Sequence, residues 1–301
     1  MSAVAIASVT SLATASPSLE LVIDLAKTKA YRSRFVDWSS VEREARAREE
    51  TEGEKAAIRF VVSALADKHT FYVPPAPSTP KSLQEKSDPP EVAVVLPPVG
   101  GVPVLQINGW FEGDLPEAAR AVRSRLDEVL RGKPCGLILD FSANHGGNMW
   151  PMLMGLSPLL SEGKLGAFHQ ANGSRDDISK VNGAIALKGV AVFSDSLPIQ
   201  TYAGEIPFIA ISIGAHSGSS GELTPLMFLG QKNVKFFGGK TAGLTSANQV
   251  HSLPNGGTLI LTTSIVEDRN GQEYPDGLYP DFTTEQPFKD ASEWISGKCS
   301  E

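Results

Sequence analysis

An α/β layered core preceded by a helical N-terminal region is the fold this sequence predicts. Three observations carry it: helix and strand patterns alternate beyond residue 99, a proline-rich stretch separates that part from what precedes it, and the front of the chain repeats apolar residues at helical spacing. The chain has 301 residues, 41% of them hydrophobic and 20% charged, enough to bury a substantial interior. Its formal charge of -7 is mixed along the chain, with no basic stripe for nucleic acid and no polybasic membrane patch. No apolar run reaches the length of a spanning helix, so stable membrane insertion is not expected.

Residues 1–18 open with an Ala-, Ser- and Val-rich segment lacking a basic n-region, which reads as an export remnant or a disordered terminus. Residues 19–75 read as helical: Leu21, Leu25, Ile58, Val61, Val62 and Leu65 recur near the 3.6 period, interrupted by the charged stretch Glu42 to Glu54. Residues 76–98 carry Pro89-Pro90 and Pro97-Pro98 and read as a loop or semi-rigid spacer, too short and broken for an inserted module. In residues 99–288, Val102 to Ile107 predicts a strand, Leu115 to Leu130 an amphipathic helix, Gly136 to Phe141 a buried strand, and Met149 to Leu160 a helix. Ile206 to Ile213 follows as a strand, then a helix ending near Leu229-Gly230 and a β-rich run from Leu259 to Val266. Residues 289–301 read as a polar tail. Cys135, in a strand-like run, and Cys299, in that tail, suggest neither a disulfide framework nor a cysteine metal site. No nucleotide-binding glycine fingerprint occurs, and no cofactor or metal is expected.

Chemistry concentrates in Ser217-Gly218-Ser219-Ser220-Gly221-Glu222, a small-residue turn between an apolar strand and a helix-like run. Such a turn displays a serine hydroxyl at a helix N-terminus, where amide groups and the dipole favour negative charge. Ser219-x-x-Glu222 equally fits a capping box, so Glu222 has a capping and a functional reading. Pro225 would remove an interior hydrogen bond from a helix begun at the serine, which points to a later start with Thr224 as N-cap. A serine nucleophile needs a base, and the chain offers His69, His145, His169, His216 and His251, with His169 and His251 in segments that show no partner. Gly146-Gly147, after a buried strand, would let backbone donors approach a developing oxyanion. Trp110, Phe111, Trp150 and Tyr202 read as core or as cleft lining.

Several ordered segments together resemble peptidase family S41, the tail-specific or C-terminal processing serine proteases. Asp140 to Gly147 resembles the family's D-x-R-x-N-x-G-G turn, with Ser142 in place of arginine; Ser219 to Glu222 resembles its S-x-x-E turn. Phe237 to Gly243 resembles its G-E-x-T-x-G segment, and Leu261-Thr262-Thr263 with Pro280-Asp281 its closing strands. The similarity runs from about Leu19 to Phe282 and implies a ClpP/crotonase-like layered core. The lysine used by one branch is replaced by Leu244, and Lys240 reads as solvated, whereas Asp67-Lys68-His69-Thr70-Phe71-Tyr72 resembles the histidine segment of a Ser-His branch.

The resemblance therefore implies a serine endopeptidase acting on peptide or protein substrates. Ser219 would be its nucleophile, His69 its general base, and the N–H groups of Ser220 and of Gly147 or Gly146 its oxyanion donors. Asp276 or Glu273 would orient the histidine, with Glu222 supporting the turn. A non-catalytic peptide- or ligand-binding protein and a small ester or amide hydrolase are the alternatives. Relatives imply an extracytoplasmic bacterial setting.

Overall fold

The computed structural model describes residues 15–76, 91–192 and 208–300. The expected export remnant, apart from its last four residues, most of the proline-rich spacer, and Tyr202 lie outside these residues. In chain order the helices are α1 (Pro17–Lys29), α2 (Trp38–Glu52), α3 (Glu54–Ala64), α4 (Leu115–Leu130), α5 (Met149–Gly155), α6 (Ser220–Leu226) and α7 (Pro287–Cys299). The strands are β1 (Phe71–Val73), β2 (Ala93–Val99), β3 (Val102–Ile107), β4 (Gly136–Asp140), β5 (Gly163–Gln170), β6 (Arg175–Val181) and β7 (Ala184–Leu187). They continue with β8 (Val190–Ala191), β9 (Phe208–Ile213), β10 (Val234–Gly238), β11 (Ser246–Ser252), β12 (Thr258–Asp268) and β13 (Phe282–Thr283). Two compact units result: Met1–Thr79 with Gln249–Leu261, and Pro80–Asn248 with Thr262–Glu301.

In the first unit, Ser16 caps α1 through a hydroxyl that accepts the Leu19 N–H, and Pro17 takes the first helical turn, where no amide is needed. Leu19, Val22, Ile23 and Ala26 pack with Ile58, Val61 and Leu65 of the α3 segment and with Leu259 and Leu261. The charged stretch that seemed to interrupt the helices is itself helix α2, because only Ala45 on it is buried and its charges face water, paired as Arg46 with Glu20 and Arg48 with Glu44. Gly53, at φ 88°, supplies the left-handed break between α2 and α3. Phe71, Tyr72 and Val73 pair antiparallel with Ile260, Leu259 and Thr258.

The second unit holds a six-stranded sheet in the order β13, β10, β9, β4, β3, β2, with β3, β4, β9 and β10 parallel. Every residue of β4 is buried, as expected of a strand covered on both faces. α4, α5 and α6 supply the core with Leu126, Met152, Leu153 and Leu226 against Leu137, Leu139, Ile209 and Ile211. On Val104, Ile138, Ala210 and Phe237 lie Ala291 and Ile295 of α7. Beyond this sheet, β5, β6, β7 and β8 form an antiparallel ladder joined to the second half of β12.

Three expectations are corrected. Residues 93–99 form edge strand β2 rather than spacer, since an edge tolerates Pro97 and Pro98 where a central strand would lose ladder bonds. Residues 287–299 form α7, a helix whose few apolar residues are enough to cover one sheet face, rather than a polar tail. Cys135 and Cys299 are joined in a disulfide with their Cα atoms 5.9 Å apart, because α7 brings the end of the chain to the start of β4. That bridge closes a loop of 164 residues. Replacing both cysteines with serine should lower unfolding free energy by about 2–5 kcal/mol through the released loop entropy. Urea unfolding with and without reductant measures it, and equal midpoints would contradict it.

Candidate active site

β9 ends at Ile213 and the chain reaches α6 through a turn whose last residue, Ser219, has φ 52° and ψ -120°. A side chain rarely adopts this left-handed conformation, and its cost, of order 1–3 kcal/mol, persists only where the surroundings enforce it. Here they do. Ser217, fully buried, accepts the Gly214 N–H at 3.0 Å through Oγ and donates that hydroxyl to the Phe141 carbonyl at 2.9 Å. The Ser217 carbonyl accepts the Ala242 N–H at 3.0 Å. α6 therefore begins at Ser220 and not after Thr224, with Pro225 tolerated inside it because the last turn closes through shorter bonds from Met227 to Thr224 and from Phe228 to Pro225.

Glu222 is fully buried and its carboxylate is saturated with donors. Oε2 accepts the N–H of Ser219 at 3.1 Å and of Leu244 at 2.7 Å; Oε1 accepts the N–H of Gly243 at 2.9 Å and the Thr241 hydroxyl at 2.5 Å. Thr241 Oγ1 in turn accepts the Leu278 N–H at 2.7 Å. Burying a carboxylate without such partners would cost several kcal/mol, so these four bonds are what permit it. Between its two readings Glu222 takes a wider one: it caps Ser219 and also ties that turn to residues 241–244.

The second turn follows β4. Asp140 accepts the Ser142 N–H at 3.0 Å, and the fully buried Asn144 organises the rest. Its Oδ1 accepts the Gly146 N–H at 3.0 Å, its Nδ2 donates to the Ile107 carbonyl at 3.1 Å, and its own carbonyl accepts the Gly218 N–H at 2.9 Å. Gly146, at φ 116°, has no room for a side chain, since a Cβ would lie 2.9 Å from Ser219 Cβ. Gly147, at φ 104°, bridges Trp110 in parallel fashion, and its carbonyl accepts the Ser220 hydroxyl. The second unit thus assembles Ser219, Ser220, Glu222, Gly146 and Gly147 side by side. Because Gly146 spends its N–H on Asn144, the amides of Gly147 and Ser220 are the better candidate oxyanion donors. Asn144 and Thr241 were not singled out from sequence; only their places beside the glycine motifs hinted at a role.

His69 belongs to the first unit, in the bend between α3 and β1, and is 7% exposed. Asp67 shapes that bend by accepting the His69 N–H at 3.1 Å and the Thr70 hydroxyl at 2.6 Å. Burial pushes the imidazole below its ordinary 6.5, and the Asp67 charge offsets part of this. The two carboxylates expected to orient His69, Glu273 and Asp276, belong to the second unit. Glu273 Oε1 lies 2.7 Å from Nδ1 of His169, a pairing across 104 residues that the sequence did not reveal, while Asp276 is exposed and its charge acts on Lys240. Lys240 is exposed as expected, its ammonium 5.1 Å from the centre of the Tyr279 ring. Of the four aromatics, Trp110 and Trp150 pack partly on the core, Trp150 edge-on to Phe168, whereas Phe111 is 70% exposed.

His169, Glu267 and Glu273 place their ligating atoms within 4.8 Å of one another. Arg175 Nε already sits 3.0 Å from both oxygens of Glu267, and Lys164 lies 3.6 Å from it. The negative charge a cation would need is thereby neutralised from within the protein.

A strained serine thus stands at the head of a helix, facing a glycine turn at the end of a parallel strand. Residues 101–284, more than half the chain, match Peptidase family S41, and the chain belongs to that family. It is 39% identical over 165 residues to the nisin-resistance protein of Lactococcus lactis subsp. lactis, a match covering 54% of this chain and 50% of that protein. The chain thus spans about half the length of this curated relative. Among solved structures it resembles a lipoprotein from Streptococcus agalactiae, with a TM-score of 0.77 and 24% identity over 95% of this chain and 98% of the other. It also resembles the photosystem II D1 C-terminal processing protease, with a TM-score of 0.60 and 13% identity over 94% and 98%. These structures share the mixed α/β fold described above.

Replacing Glu222 with alanine should leave three amides and a hydroxyl without an acceptor and cost at least about 3 kcal/mol of stability. Chemical denaturation tests this, and a loss below about 1 kcal/mol would remove Glu222 from its central place.

Proposed function

We propose that the protein is a serine endopeptidase in which Ser219 attacks a peptide carbonyl and His69 accepts its proton, giving an acyl-enzyme that water hydrolyses. The observation that carries this reading is the Ser219 turn: a serine held at φ 52° beside Gly146 and Gly147, with its amide fixed by Glu222. The Ser220 and Gly147 amides stabilise the oxyanion, each worth about 10²- to 10³-fold in turnover. Asp67, the charge acting on His69, is the first candidate to orient it. Nisin is the first substrate to test, on the strength of the relative whose name concerns it. The names of that relative and of the Streptococcus lipoprotein, together with the Cys135–Cys299 bridge, support a setting outside the cytoplasm or at the cell envelope.

Ser219→Ala and His69→Ala should each lower peptide hydrolysis by at least about 10³-fold, and a fluorophosphonate should label wild type but not Ser219→Ala. Mass spectrometry of nisin and unrelated peptides after incubation reads both cleavage and preference. Unchanged hydrolysis in both variants would overturn the assignment, and specific binding with no turnover by the folded wild type would make the protein a non-catalytic binder.

A general base must be neutral to work, and burial favours the neutral His69 ring. The acid limb of kcat/KM should therefore have its midpoint below 6.5. The unfolded chain takes up this proton at higher pH than the folded one, so the contribution of His69 to stability is lost as pH falls from 6.5 toward the lowered folded value. An acid limb at or above 6.5 would contradict the burial of the base.

A further inference from the structure

His145 and His216 stand on either side of the reactive turn, one immediately before Gly146 and the other immediately before Ser217. Both side chains are exposed, and their ring centroids are 5.5 Å apart with planes inclined by 69°. The backbones beneath them are locked together: Gly218 donates to the Asn144 carbonyl at 2.9 Å, and Gly146 lies flush against Ser219. Both residues belong to the second unit, so the pair does not depend on how His69 is delivered.

Two imidazoles sharing one zinc ion at about 2.0–2.1 Å, near a tetrahedral angle, hold their ring centroids about 5–5.5 Å apart. The separation observed here matches that span without movement of the main chain. Rotation of each exposed ring about its Cβ–Cγ bond leaves its centroid nearly in place and lets one nitrogen of each turn toward a common point. Imidazole selects zinc, nickel and copper over magnesium and calcium, which prefer oxygen ligands. The other histidine-bearing cluster, His169 with Glu267 and Glu273, is a poorer host because Arg175 Nε already sits on both oxygens of Glu267.

We propose that His145 and His216 form a binding site for a divalent transition cation of the zinc class, with one nitrogen from each ring as ligand and water completing the shell. A cation there lies over the junction of the two catalytic turns and obstructs the approach of a peptide to Ser219. This inhibitory consequence rests on the serine peptidase reading, whereas the binding itself does not.

The test titrates the full chain with zinc chloride by calorimetry and follows peptide hydrolysis in parallel. Wild type should bind one zinc ion, and His145→Ala and His216→Ala should each weaken binding at least about tenfold, since each removes one of two protein ligands. His169→Ala should bind as wild type, and magnesium should not bind. Zinc should inhibit wild type reversibly on chelation, while both variants hydrolyse peptide at the basal rate and resist inhibition. Binding that survives in both variants, or that only His169→Ala removes, overturns the site. Binding at the pair without inhibition overturns its placement over the reactive turn. A wild type that binds zinc through these two residues yet hydrolyses nothing supports the site and removes the peptidase reading alone.

Discussion

The buried carboxylate of Glu222 is the constraint on which the candidate site rests. One side chain gathers the amides of Ser219, Gly243 and Leu244 and the hydroxyl of Thr241, so two separate stretches of the chain share a single negative group. An acid in that position is tolerable only with all its partners, and the partners keep their positions only with the acid. The cooperative unit so formed reaches through Thr241 to Leu278.

That rigidity has a purpose at Ser219, whose backbone conformation is unfavourable in isolation. The same strain seats the serine against Gly146, where no side chain fits, and sets the Ser220 hydroxyl on the Gly147 carbonyl. Asn144 performs for the glycine turn what Glu222 performs for the serine turn, with the difference that it is uncharged and binds through both ends of an amide. Where the family motif carries an arginine, this chain has Ser142, and the turn is held by Asp140 and Asn144 without a cation.

What was legible in the sequence was local. The period of Leu115 to Leu130 gave α4 to the residue, and the small residues around Ser219 announced the strand-to-helix turn. The antiparallel strands between Gly163 and Ala191 were not foreseen, since polar residues such as Arg175, Asp176, Asp177 and Lys180 dilute their alternation. β2 hid behind Pro97 and Pro98, and α7 behind its serines and charges. The partners that matter most are distant in the chain: Glu273 with His169, Asn144 with Ile107, Cys135 with Cys299. Spacing along a sequence does not encode such pairs, because they exist only once the sheet has brought its strands together.

The disulfide has a topological consequence. Gly146, Ser219, Glu222 and Thr241 all lie within the segment it closes, from Cys135 to Cys299. A single scission of the main chain anywhere inside that ring leaves the pieces covalently linked, with the glycine turn and the serine turn still on one molecule. A protein exposed to proteases could therefore be nicked without shedding half of its candidate site.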